Sequence, residues 1–131
     1  MSIPSPADLA RLSPRPRPLP PPVPPADLDL STEPYRALWE RGITGSQLHR
    51  NAKLVGLVLA AGADWATGQL ADPRPSVGRL ATRSGLHDGQ VITSLNYLEA
   101  RGWITRPDRR ARWSRTEVSL TIPGPILPHL R

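Results

Sequence analysis

Polar side chains that can form paired hydrogen bonds with nucleic-acid bases recur at regular spacing between residues 88 and 101. Gln90 and Asn96 carry carboxamides, which donate and accept at once and can therefore pair with adenine through two hydrogen bonds. Thr93 lies midway between them and offers a hydroxyl and a methyl group, and Asp88 precedes all three. An ordinary solvated helix face, the alternative, would carry more Glu and Lys than this segment has. We therefore interpret these four residues as candidates for reading bases.

Arginine side chains around this segment are candidates for phosphate contacts, because a guanidinium presents a planar fork of donors that matches two phosphate oxygens. Residues 46–123 hold eleven basic and six acidic side chains, whereas residues 1–45 hold five of each. Most of the formal charge of +6 therefore lies near the base-reading candidates, as nucleic-acid binding requires. The phosphate candidates are Arg79, Arg83, Arg106, Arg109, Arg110 and Arg112.

Two helices joined by a tight turn are needed to present these side chains, and the apolar pattern predicts them. The spacing of four and three that marks one face of an amphipathic helix is shown by Val91, Leu95 and Leu98. Gly85 interrupts the apolar pattern between Ala81 and Leu86, which predicts a sharp turn with positive φ between two helices. Ser76 is placed to cap the first helix, and Gly102 is placed to end the second in a left-handed conformation.

This pattern resembles the winged helix-turn-helix of GntR-type and MarR-type regulators, and it also resembles the DNA-binding domain of many plasmid and phage replication proteins. The residues that carry the resemblance are Leu80-Ala81, Gly85-Leu86, Val91, Leu95, Leu98-Glu99 and Gly102-Trp103-Ile104. Upstream, the replication proteins are favoured by Lys53-Leu54-Val55, Ala60, Ala63-Asp64-Trp65, Gly68 and Pro75-Ser76-Val77. The resemblance implies a mainly α fold with a small β-hairpin, the winged helix-turn-helix, and double-stranded DNA as the partner.

Residues 103–122 predict the hairpin of this fold, which we call the wing. A turn-rich, basic tip is expected at residues 107–111. The alternation with polar residues that marks a half-buried strand is shown by Val118, Leu120 and Ile122. Trp103 and Trp113 fit packing against this sheet better than stacking on bases.

The residues before the domain differ in composition from the rest. Residues 1–30 contain ten of the seventeen prolines, and we expect a disordered Pro-rich arm that adds little to stability. Residues 31–34 form a helix-start signal for a short docking helix over residues 31–45, with Gly42 as its stop. One face of this helix carries Tyr35, Leu38 and Trp39. These side chains either pack on the chain's own domain or contact a second subunit or another protein.

The winged helix-turn-helix domain is expected to span residues 46–123, followed by a C-terminal tail, residues 124–131. Its core helix is predicted to begin after Ser46 or Asn51, each a possible N-cap, and to reach about Trp65.

Residue patterns of catalysis and metal binding are missing from the sequence. There is no cysteine, and His49, His87 and His129 lie far apart with no nucleophile nearby. We therefore expect no enzymatic activity, no cofactor and no metal. The longest apolar run, Leu54–Ala61, has eight residues and is too short to span a bilayer. We expect a cytoplasmic, nucleoid-associated protein without a membrane partner.

These observations predict sequence-selective binding of double-stranded DNA. The role would be that of a transcriptional regulator or of the DNA-binding component of a mobile-element replication or partition system. The alternative is a winged-helix protein-protein interaction module that acts through the Pro-rich arm and the helix with Tyr35, Leu38 and Trp39. A homodimer or a protein partner is compatible with either prediction.

Overall fold

Five helices and one antiparallel hairpin make up the described part of the chain, which the computed structural model gives as residues 21–24 and 33–130. The elements are α1 Tyr35–Gly45, α2 Arg50–Ala61, α3 Val77–Ser84, α4 Asp88–Ala100, β1 Ile104–Thr105, a 3-10 turn Trp113–Arg115, β2 Ser119–Leu120 and α5 Leu127–Leu130. Ile104 pairs with Leu120 and Thr105 with Ser119 across the hairpin. The predicted fold class, mainly α with a small β-hairpin, is confirmed.

Helix α2 lies at the centre of the domain and packs against α1, α3 and α4. Its Val55 and Leu59 belong to the same buried cluster as the stripe on α4, where Val91, Leu95 and Leu98 are all fully buried. The stripe predicted from the four-and-three spacing is therefore the face that fixes α4 to the core. Burial of such aliphatic side chains stabilises the domain by about 1.5 to 3 kcal/mol each.

The turn between α3 and α4 has the predicted glycine geometry. Gly85 adopts a φ of 74° and donates its N–H to Ala81 O at 2.9 Å. Ser76 caps α3 by accepting the N–H of Arg79 at 3.2 Å. Because a left-handed residue ends α3 abruptly, α4 begins three residues later in a new direction.

The end of α4 is set by a second left-handed glycine, as predicted. Gly102 has a φ of 85° and donates to Glu99 O at 3.1 Å, and Trp103 donates to Leu98 O at 3.0 Å. This pair of bonds is a Schellman motif, which satisfies the last carbonyls of the helix. Trp103 then enters the core, where its ring meets Trp39 edge to face at 6.0 Å between centroids.

Helix α1 belongs to the core of the domain. Tyr35, Leu38 and Trp39 are 0%, 2% and 0% exposed, so the expectation that they form a partner contact is corrected. The indole N–H of Trp39 donates to Trp103 O at 3.0 Å and to Thr121 O at 2.9 Å, which ties α1 to the hairpin. These groups are satisfied within the chain and would lose their partners if the face turned outward.

Gly42 does not stop α1, because the helix continues to Gly45. A Cβ atom at Gly42 would lie only 2.8 Å from the ring of Trp103. The glycine therefore lets α1 approach the hairpin closely.

Part of the predicted disordered arm is ordered against the wing. Val23 and Ile122 form an antiparallel bridge, with N–H to O distances of 2.8 Å from Val23 and 3.2 Å from Ile122. The hydroxyl of Tyr35 donates to Val23 O at 2.8 Å and to Leu120 O at 3.3 Å. The expectation of a disordered arm is thus corrected for residues 21–24; the remainder of the arm lies outside the described residues.

The core helix α2 differs from prediction at both ends. Its N-cap is His49, whose Nδ1 accepts the N–H of Asn51 at 3.2 Å, whereas Ser46 donates its hydroxyl to Ile43 O. The helix ends at Ala61 because residues 62–70 fold back into a tight loop, with an isolated bridge between Ala63 and Leu70.

The C-terminal residues form a short helix where a tail was predicted. Helix α5 packs on α1, and Leu130 is buried. Arg41 donates to Leu130 O at 2.8 Å. This single turn is stable because α1 supplies the contacts that four residues lack on their own.

Candidate nucleic-acid interface

The outward face of α4 lies opposite its buried stripe and carries most of the predicted base-reading residues. Asp88, Gln90, Thr93 and Asn96 are all exposed. Ser94, by contrast, is 4% exposed and donates its hydroxyl to Gln90 O at 2.7 Å. Exposure is necessary for a groove contact, but the hydrogen bonds that these side chains already make decide which of them are available.

Gln90 stabilises the start of α4. Its Oε1 accepts the backbone N–H of His87 at 3.0 Å, which is half of a capping box. The first turn of a helix has free N–H groups, and a side chain that accepts one of them stabilises the helix by roughly 1 kcal/mol. A bidentate contact with adenine uses the same oxygen, so Gln90 would have to share or release its cap to read a base.

Asn96 connects α4 to the wing. Its Oδ1 accepts the indole N–H of Trp113 at 3.0 Å. Trp113 is buried, and its N–H would be unsatisfied without this bond. The interpretation of Asn96 as a free base-reading residue is therefore corrected in part: its oxygen already holds the wing in place, and only its second lone pair and its NH2 group remain for a base. Asp88 and Thr93 have no side-chain hydrogen bond to any described residue.

Arg106 is an internal residue of the wing and not a phosphate contact, which corrects its assignment from the sequence. Its guanidinium pairs with Glu99 through Nε at 2.8 Å and Nη2 at 3.3 Å, and the two side chains are only 6% and 12% exposed. It also donates to Ala111 O at 2.6 Å and Arg109 O at 2.7 Å. The same group stacks on the ring of Trp113 at 3.8 Å. Arg106 therefore shapes the tip of the wing and fixes it to α4.

The other five phosphate candidates project into solvent. Arg79 and Arg83 lie on α3, and the remaining three are in the wing at positions 109, 110 and 112. Within the part of the chain that the structure describes, none of these five forms an ion pair. Their charge is therefore not neutralised by the domain itself.

The tip of the wing has a defined backbone. Asp108 Oδ1 accepts the N–H of Arg110 at 2.9 Å, which closes the turn at the tip. Together with the Arg106 bonds beneath it, this turn holds Arg109 and Arg110 at the most exposed point of the hairpin. The wing is thus a short hairpin whose tip is held by these hydrogen bonds.

Two grooves run along α4, one on each side of its outward face. The groove toward the wing is lined by Val77, Ile92, Asn96, Arg106, Ala111, Arg112, Trp113 and Ser114. The groove toward the start of α2 is lined by His49, Asn51, Ala52, Gly89, Gln90, Thr93, Ser94 and Tyr97. The sequence interpretation did not include Ile92, His49 or Asn51 as interface residues. A signal for Ile92 was present, because an apolar residue beside Val91 falls outside the buried stripe.

Residues 21–24 and 33–130 carry neither a metal-binding cluster nor a membrane-spanning helix. This part of the chain has no group of three His, Asp or Glu side chains able to hold a metal ion. None of its helices is both long and apolar enough to cross a bilayer.

A family model described as a helix-turn-helix domain matches residues 46–104. The match covers α2, α3, α4 and the start of β1, which are the elements that build the outward face described above. No curated protein and no solved structure matches the chain at a significant level. A helix-turn-helix domain indicates DNA as the partner. Residues 46–104 are thus a helix-turn-helix domain, and the antiparallel hairpin that completes it fits a winged helix.

Proposed function

We propose that this protein binds double-stranded DNA with sequence selectivity, with α4 in the major groove and the wing beside it. The observation that carries the proposal is the set of five exposed arginines, without ion pairs among the described residues, on the two elements that border α4. Arginines at such positions neutralise phosphates and orient a helix in the groove, while the helix itself supplies the selectivity.

The charge of the interface predicts the salt dependence of binding. If each of the five arginines, Arg79, Arg83, Arg109, Arg110 and Arg112, neutralises one phosphate, log affinity should fall with log salt with a slope of about −4.5. Binding to random duplexes should show nearly the same slope, because phosphates are common to every sequence. A slope near zero would mean that these arginines do not face DNA.

Selection from a random duplex library tests the proposal most broadly. Sequences retained by the full chain at ~0.2 M salt should converge on a short motif, and that motif should compete better than random duplex at the same salt. The length of the motif also reports the oligomeric state, because a homodimer reads two half-sites about one helical turn apart. Retention of duplexes without convergence would leave DNA binding but remove the selectivity.

The biological role that we propose is transcriptional regulation or DNA binding within a mobile-element replication or partition system, in the cytoplasm and at the nucleoid. Resemblance of residues 53–55, 60, 63–65, 68 and 75–77 to replication proteins supports the second role. The genomic location of the selected motif distinguishes the two roles. A motif within a promoter indicates regulation, and a set of repeated motifs beside a replication gene indicates replication.

The alternative function is that of a winged-helix interaction module, and burial of one of its two surfaces weighs against it. The side chains of Tyr35, Leu38 and Trp39, which would have met the partner, are buried in the chain's own core. Co-purification of a stable partner together with absence of DNA affinity at low salt would favour this alternative over DNA binding.

A further inference from the structure

The hydrogen bonds around α4 leave an unusual set of side chains free to face a groove. Gln90 caps the helix and Asn96 holds Trp113, so the two carboxamides are engaged. Ile92 and Thr93 are exposed and lie within the first two turns, the part of a recognition helix that meets base edges. Their methyl groups are therefore free to meet a groove, beside the exposed carboxylate of Asp88.

Ile92 has no structural reason to be exposed within the domain. It is 41% exposed, whereas its neighbour Val91 and the other members of the stripe are fully buried. Large exposed apolar side chains in the described residues are limited to Leu54, Trp65 and Ile92, and Ile92 alone among them lies on α4. Its position borders the groove between α4 and the wing, where Arg112 supplies a positive charge.

Thr93 presents a second methyl group on the neighbouring side of the same helix. Its side chain is exposed to solvent. Successive residues on a helix are about 100° apart, so Thr93 lies near the middle of the outward face and Ile92 lies at its edge toward the wing. Gly89 lies one turn before Thr93 and adds no side chain to this face, and a Cβ there would have nothing within 4 Å.

We propose that Ile92 and the methyl group of Thr93 contact the C5-methyl groups of thymines, so that the preferred duplex carries thymine opposite the first two turns of α4. This proposal rests on the proposed DNA binding. The C5-methyl group marks thymine in the major groove, and apolar side chains distinguish it from cytosine by contact. The flanking arginines favour a partner with a phosphate backbone. An apolar side chain beside them is suited to contact the edge of a base.

Replacement of thymine by deoxyuridine tests the proposal, because it removes the methyl group and keeps every hydrogen-bonding group of the base pair. In the selected duplex, each deoxyuridine at a contacted position should weaken binding of the full chain by about three- to fivefold, the effect of losing one buried methyl. Deoxyuridine at positions outside the motif should have no effect.

Protein variants assign the effect to the two side chains. Ile92→Ala should bind duplexes with thymine and with deoxyuridine equally well at the position that Ile92 contacts. Thr93→Ser should lose the same discrimination at a second position. Thr93→Val, which keeps the methyl group, should keep the discrimination there. Leu54→Ala is the matched control, because Leu54 is 39% exposed on α2 and lines neither groove along α4. The melting temperature of Ile92→Ala should stay within a few degrees of wild type, since the side chain is exposed.

The outcomes separate the two levels of the proposal. A selected motif without thymine, an unchanged affinity for deoxyuridine duplexes, or undiminished discrimination by Ile92→Ala would overturn the methyl contact and leave DNA binding intact. Failure of the full chain to bind any duplex at low salt would overturn the proposed function and the methyl contact with it.

Discussion

Replacement of Arg106 by Met should destabilise the domain strongly, although the residue belongs to a basic wing. The guanidinium satisfies Glu99, two backbone carbonyls and the face of Trp113 at once. Methionine fills a similar length without charge, so the carboxylate of Glu99 would remain largely buried and unpaired. Unpaired buried charge is among the few mechanisms that produce large losses from a single substitution.

The expected loss follows from the burial of the pair. Removal of one partner of a buried ion pair costs about 3 to 5 kcal/mol, and loss of a stacked cation costs about 0.5 to 2 kcal/mol. Glu99 keeps 12% exposure and can recover part of its hydration by turning outward. A net loss of about 2 to 4 kcal/mol in the free energy of unfolding is therefore expected.

Urea denaturation of three variants measures this loss. Arg106→Met should show the full effect, and the double variant Glu99→Leu with Arg106→Met should recover to within about 1 kcal/mol of wild type, because no charge is left unpaired. Arg110→Met, an exposed arginine of the same wing, should change stability by less than about 0.5 kcal/mol. The reasoning is refuted if Arg106→Met is as stable as Arg110→Met and makes the salt slope shallower by the same ~0.9 units, because both arginines would then face phosphate.

Three further substitutions or truncations test other parts of the structure. The pair Arg109→Ala and Arg110→Ala should weaken binding to all duplexes alike and make the slope of log affinity against log salt shallower by about 2 units; an unchanged slope would remove the tip of the wing from the interface. A chain that starts at Pro21 should have the same free energy of unfolding as the full chain. A chain that starts at Ser31 should have a free energy of unfolding lower by about 1 to 3 kcal/mol, because three hydrogen bonds to the arm are removed. Equal stability of the two truncated chains would show that the bridge contributes nothing. Burial raises the pKa of Tyr35, so the free energy of unfolding should be flat below the ordinary phenol pKa of about 10 and fall by up to about 1.4 kcal/mol per pH unit above it, as the unfolded state alone ionises. Tyr35→Phe should start from a lower stability and lack that alkaline decline, and a parallel decline in both proteins would assign the effect to other groups.

The fold could be predicted from local signals because each of them acts over a few residues. The stripe on α4 needs only helical periodicity, and Gly85 and Gly102 need only the steric freedom of glycine at positive φ. Ser76 caps α3 through a hydrogen bond to a residue three positions away. The helix-turn-helix is recognisable from sequence for the same reason.

The roles of the interface residues depend on partners that are distant in sequence. Nothing near Arg106 or Asn96 indicates that they meet Glu99 and Trp113, and composition alone makes each resemble a DNA contact. Val23 lies in a proline-rich stretch, yet its backbone N–H donates to Ile122 O, about 100 residues later in the chain. Residue types thus predicted which face of α4 is exposed better than which side chains on that face are free.

The central claim is that DNA lies against α4 and the wing, and amide chemical-shift mapping with the selected duplex tests it most directly. Addition of duplex to the isotope-labelled full chain should shift amides of residues 77–83, 88–96 and 107–115. Amides of α1 and α5, on the other side of the core, should stay where they are. Shifts concentrated in residues 35–45 and 127–130, with α4 and the wing unchanged, would contradict the account.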